Sequence, residues 1–74
     1  MNWNEIIINR TPVRTKDSTS CGYVAGEYRD NLVIIEGTRV SRKYLITKSE
    51  VDNYDGSELA LKMRHDEIGS DYNF

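Results

Sequence analysis

Few side chains in this 74-residue chain could do covalent or metal chemistry. Its single histidine, His65, is followed by Asp66 and Glu67. A metal centre needs several converging ligands, and one His supplies no ligand pair at a defined spacing, so His65 reads as a solvated side chain at a strand end. Cys21 is the only cysteine. No Lys, Arg or His adjoins it to draw down its pKa, so it reads as a small packed thiol rather than a nucleophile. Alone, it cannot form an internal disulfide, and the expectation is a reducing, cytoplasmic setting. Glu27 and Glu36 form a carboxylate pair, but nothing places either in an apolar pocket that would raise its pKa for acid–base work. No Gly-rich phosphate loop with a trailing Lys and Ser/Thr is present. No catalytic, metal or cofactor residues are therefore assigned. The chain is expected to be no enzyme, with no cofactor and no small-molecule substrate.

Binding chemistry is better supplied. Tyrosine occurs at positions 23, 28, 44, 54 and 72, and tryptophan at position 3. Tyr and Trp concentrate at protein contacts because each joins a large apolar body to a polar tip. Arg10, Arg14 and Lys16 make one basic cluster, and Arg39, Arg42, Lys43 and Lys48 make another, while residues 66–71 are acidic. The formal net charge is −2. Affinity for a nucleic-acid backbone comes from clustered cations, so this balance favours protein over nucleic acid as the partner.

The elements that position these residues are short and β-rich. Residues 22–37 read as two strands joined at Asp30-Asn31, both of which tolerate the positive φ of a type I′ turn. That turn pairs Arg29 with Leu32, Tyr28 with Val33, Gly26 with Ile35 and Val24 with Gly37. Alternation then puts Val24, Gly26, Tyr28, Val33 and Ile35 on an uncharged inner face. Tyr23, Ala25, Glu27, Arg29, Leu32, Ile34 and Glu36 fall on the outer one. Leu32 and Ile34 there are apolar beyond what a solvated face needs, so either the tail or a partner covers them.

Around the hairpin, residues 5–8 are an apolar patch of ambiguous type. Pro12 confines the next strand to an edge or to starting there. Residues 16–20 form a turn, 38–42 a polar connection and 43–47 a strand. Thr47 and Glu50 have the spacing of a capping box, which predicts a short helical turn near residues 48–53 with Val51 packing inward. Asp55-Gly56 is a second turn signal, and Leu59, Leu61 and Met63 alternate with polar residues as a half-buried strand. Five short strands with turns every 8–12 residues fit a small sheet that protects its edges by curling. No apolar stretch approaches a membrane span, and residues 1–8 lack the basic start and the length of a signal segment, so the chain is expected to be soluble and without a membrane partner.

The order of residues resembles PRC-barrel domains. Residues 5–17 followed by Cys21-Gly22-Tyr23-Val24 are similar to that family's opening "liGkpV" step, "dG" turn and "iGkV" strand. Asp30-Asn31-Leu32-Val33-Ile34-Ile35 resembles its "dyivv" strand, residues 44–51 its "yyiPksaV" segment and residues 55–61 its "dgdevhL" strand. Asn9, Ser18 and Thr47 depart from the family's usual Gly, Gly and Pro. The resemblance implies an all-β fold: a small five- to six-stranded, partly open β-barrel over residues 1–68, with a flexible tail at 69–74. It also implies a docking module, since such barrels occur in a ribosome-maturation factor, in the H subunit of photosynthetic reaction centres and as free-standing small prokaryotic proteins, with no catalytic residues to carry over.

The expectation is therefore a non-enzymatic protein-interaction or adaptor module. A chain this small has a thin core, so a homodimer is expected. Its contact residues are Trp3, Ile7, Tyr23, Leu32 and Ile34. The alternative is an RNA- or ribosome-associated domain whose contacts are Arg39, Arg42, Lys43 and Lys48.

Overall fold

The computed structural model describes residues 1–37, 39 and 41–68. Helix α1 spans Trp3–Ile8, followed by β1 (Pro12–Arg14), β2 (Ser20–Tyr28), β3 (Asn31–Glu36) and β4 (Arg42–Thr47). A 3-10 turn at Lys48–Glu50 leads into β5 (Val51–Tyr54), β6 (Leu59–Leu61) and a last 3-10 turn at His65–Glu67. The expected tail, 69–74, lies outside the described residues, as do Tyr72 and Val40.

The strands form one mixed sheet in the order β4-β3-β2-β1-β6-β5. Among the described residues only β1 and β6 pair in parallel, with Val13 opposite Leu59. The end strands β4 and β5 do not pair with each other among the described residues, so the sheet is open. It is nonetheless strongly coiled. The strands β4 and β5 stand at opposite ends of the order, yet only Lys48–Glu50 separate them in the chain and both bury side chains in one cluster. Pro12 opens β1, as its missing N–H demands, but β1 is a central strand rather than an edge.

Coiling wraps the sheet around one cluster: Ile6, Val13, Cys21, Val24, Leu32, Ile34, Tyr44, Ile46, Val51, Leu59 and Leu61. The ambiguous patch at residues 5–8 is helical. Asn2 caps α1 by accepting the Glu5 N–H at 3.1 Å, and the helix drops Ile6 into the core. The buried polar side chains are satisfied: the Thr11 hydroxyl donates to the Ile6 carbonyl at 2.8 Å, and Thr15 bonds Asp17 and the Thr19 backbone.

Two features correct the expected hairpin. Its turn is one residue earlier, with Tyr28 opposite Asn31 and Arg29-Asp30 between them. Of the two, only Arg29 has positive φ, at 57°, the pattern of a type II′ rather than a type I′ turn. A bulge at Ala25 then separates the pair Val24–Ile34 from the pair Gly26–Val33. Leu32 and Ile34 therefore face the core, fully buried, while Val33 and Ile35 face out. Neighbouring β4 explains the choice. It pairs with β3 without interruption, setting Tyr44 and Ile46 beside Ile34 and Leu32, and Lys43 and Leu45 beside Ile35 and Val33. Burying the other face would bury the Lys43 charge. Full burial of Leu32 and Ile34 stabilises by roughly 1.5–3 kcal/mol each, against about 1–2 kcal/mol for one left-handed residue at Arg29.

The expected capping box is also absent. Thr47 makes no side-chain cap bond, and its hydroxyl meets Ser49 Oγ at 3.1 Å. The helical turn stops at Glu50, and Val51 enters the core from a strand the sequence did not announce. The Asp55-Gly56 turn forms as expected, with Asp55 Oδ1 accepting the N–H of Ser57 at 2.9 Å and of Glu58 at 2.7 Å.

Candidate interaction surface

The positions left outside by this register form one apolar face across β2, β3 and β4. On β2 the bulge carries Tyr23, Gly26 and Tyr28 to the outer side; opposite them stand Ile35, Val33 and Asn31. On β4 the outer row continues with Lys43, Leu45 and Thr47. Pro12 extends the first row onto β1, opposite Tyr23. Tyr23, Val33, Ile35 and Leu45 are half-buried against each other, and Tyr28 is 52% exposed. Gly26 leaves an opening in this face: a Cβ built there would meet nothing within 4 Å. Tyr23 and Tyr28 flank the opening about 13 Å apart, the rise of the four residue steps from Asn31 to Ile35, their partners on β3.

Two arginines lie over the tyrosines. The Arg10 guanidinium stands 5.8 Å from the Tyr23 ring centre, carried there by a residue of φ 48° just after α1. The Arg29 guanidinium stands 5.2 Å from that of Tyr28. Such cation–π contacts are worth about 0.5–1 kcal/mol at exposed sites, little enough for a partner to displace them.

The two ends of the inner face are polar and internally paired. At one end Lys48 Nζ lies 2.7 Å from Glu27 Oε2 and 5.2 Å from the centre of the Trp3 ring. At the other, Glu36 accepts the Tyr44 hydroxyl at 2.8 Å on Oε1, and His65 Nε2 comes within 3.5 Å of its Oε2. His65 is thus a half-buried member of a 3-10 turn rather than a solvated strand end. Cys21 is fully buried. Burial, and then the Glu36 charge, push its thiol up to about 12, which keeps it protonated and unreactive. This cluster ties the last turn to β3. A further tie comes from Asp17, whose carboxylate is held below its ordinary 3.8 chiefly by the Thr15 hydroxyl, with the His65 N–H adding to it at 3.4 Å.

The expected contact residues are only partly brought together. Tyr23 lies on the outer face. Leu32 and Ile34 do not: both are fully buried and cannot meet a partner. Trp3 and Ile7 pack against the core from α1, on whose exposed side Ile8 is 78% accessible. Of the expected RNA contacts, Arg39 and Arg42 are exposed and Lys43 stands in the outer row. Lys48 is separate, engaged with Glu27 and Trp3. Pro12, Val33, Ile35 and Leu45 were missed as surface. No local signal separates the two sides, because Arg42 and Lys43 put adjacent charges on both parities of β4.

Among the described residues no three His, Cys, Asp or Glu side chains converge as a metal would need, and no helix is long and apolar enough to cross a membrane. The chain matches no family model, no curated protein and no solved structure.

Proposed function

We propose that the protein is a non-enzymatic interaction module that docks a protein partner on the outer face of β2, β3 and β4. The observation that carries this is the composition of that face. Val33, Ile35 and Leu45 are aliphatic side chains on the outward side of a sheet whose core is already filled from the inward side. Contiguous apolar side chains left half-exposed on the outer side of a sheet mark contact sites. The tyrosines bordering it add the residue type most enriched at such sites. The sequence resemblance to PRC-barrel domains supports the same reading, as does the coiled sheet, which we take as a barrel-like scaffold left open between β4 and β5.

The test is site-specific photo-crosslinking in the native cell, with the reactive group at position 28 on the outer face or at position 52 on β5, where Asp52 is exposed. A discrete protein adduct from position 28 and none from 52 is expected. An adduct of the chain with itself identifies the homodimer. No adduct from position 28, or adducts only to RNA, overturns the reading. Arg39, Arg42 and Lys43 favour the RNA alternative, being cations grouped around the start of β4.

A further inference from the structure

We infer that the outer face of β2, β3 and β4 accepts an acidic, apolar segment of a different protein rather than a second copy of this chain. This rests on the docking reading above and names the occupant. Charge on the face is one-sided. Arg10 and Arg29 lie over its two tyrosines, and Lys43 closes the row begun by Tyr23. Among the described residues, the outward positions of these three strands include no carboxylate. Glu27 and Glu36 point to the inner side, where Lys48 in one case and Tyr44 with His65 in the other engage them. Asp30 shares the turn with Arg29, and of the two it is Arg29 that lies over the Tyr28 ring. A chain of net charge −2 thus shows this face as a local cationic surface.

That asymmetry decides between occupants. A two-fold contact is isologous and sets the same patch against itself. Two copies of this face would bring two sets of cations into one interface with no carboxylate from either outer row to pair them, and such like-charge juxtaposition is costly. A segment with Glu or Asp flanking aliphatic residues fits instead. Its carboxylates meet the guanidiniums of Arg10 and Arg29, and its apolar side chains cover Val33 and Leu45 and enter the opening over Gly26. A nucleic-acid strand shares the charge but finds a π-face at Tyr23 and Tyr28 alone, and Val33, Ile35 and Leu45 offer its bases none.

The experiment is fluorescence anisotropy of the whole chain with three labelled probes: a synthetic peptide alternating Glu and Leu, its Lys–Leu counterpart, and a single-stranded RNA of mixed sequence. The Glu–Leu peptide is expected to bind best and to weaken at least about threefold between about 50 and about 300 mM salt, as screening requires. The double variant Arg10→Gln/Arg29→Gln is expected to weaken it roughly tenfold. Arg10→Lys/Arg29→Lys should retain most of the binding. Should the glutamine variant melt early, the salt response of the unaltered chain decides. Equal or tighter binding of the Lys–Leu peptide or the RNA overturns the inference. So does a self-associating chain whose dimer is lost on Tyr28→Glu. If no probe binds while position 28 still crosslinks to a protein in cells, docking stands and the acidic occupant falls; if position 28 gives no protein adduct at all, both fall.

Discussion

The two sides of β3 carry nearly the same chemistry and have opposite fates. Leu32 and Ile34 are sealed in the core, while Val33 and Ile35, one position along, lie half-buried on the outer face beside Tyr23 and Leu45. Hydrophobicity does not separate the two pairs. Their neighbours do: Tyr44 and Ile46 on one side, Lys43 on the other. A strand apolar on both sides has one face for folding and another free for contact, and only the first is indispensable to the fold.

The comparison breaks most completely at Gly22. Its φ is 104°, and a Cβ there would stand 2.1 Å from the Ile35 carbonyl oxygen, where β2 crosses the end of β3. Gly22→Ala is expected to cost roughly 3 kcal/mol or more, read as a lost or strongly lowered denaturation midpoint. The two sides of β3 are then sharpened by a matched pair. Ile34→Ala should cost about 2–5 kcal/mol, whereas Ile35→Ala should cost about 1 kcal/mol or less and reduce crosslinking from position 28. Equal destabilisation by the two would erase the distinction.

Smaller effects test the paired inner ends. The native Cys21 thiol stays protonated to about 12, against an ordinary 9.0. Above pH 9 the unfolded chain loses that proton and the folded chain does not. Stability is therefore intact below 9 and falls as pH rises from there, a decline that Cys21→Val should reduce. A thiol reagent at neutral pH should label Cys21 only as fast as the protein opens. The smallest effect is at Asp55, held below its ordinary 3.8 by the backbone N–H groups of Ser57 and then Glu58. A depressed carboxylate stabilises above its unfolded value and loses that contribution as pH falls through the folded one. Asp55→Asn should flatten the acid limb of a pH-dependent melt below about pH 4.

Much of the fold was legible where local chemistry acts alone. Asp55-Gly56 announced its turn, Leu59 and Leu61 their buried parity, and Val51 its inward direction. The cap on α1 was also there to be read, since Asn2 and Glu5 have the spacing of a cap and its third helical residue. What the residues could not reveal depends on distant pairing. The Ala25 bulge sits beside Gly26, a residue type that marks bends and bulges inside strands, but the extra residue shows only in the pairing with β3, and it reverses the parity of every residue after it on β2. A turn shifted by one position at Arg29-Asp30 reverses the assignment on β3. The candidate site followed the same rule: Tyr23 was found, Leu32 and Ile34 were assigned to the wrong side, and Val33, Ile35 and Leu45 were recognisable only once β4 was laid beside β3.

Which side of β3 meets solvent is open to direct measurement by methyl NMR with a soluble nitroxide added to the intact chain. The methyl signals of Val33, Ile35 and Leu45 should broaden strongly, and those of Leu32 and Ile34 should not. Broadening of Leu32 and Ile34 with Val33 and Ile35 protected would contradict the register, and with it the docking face.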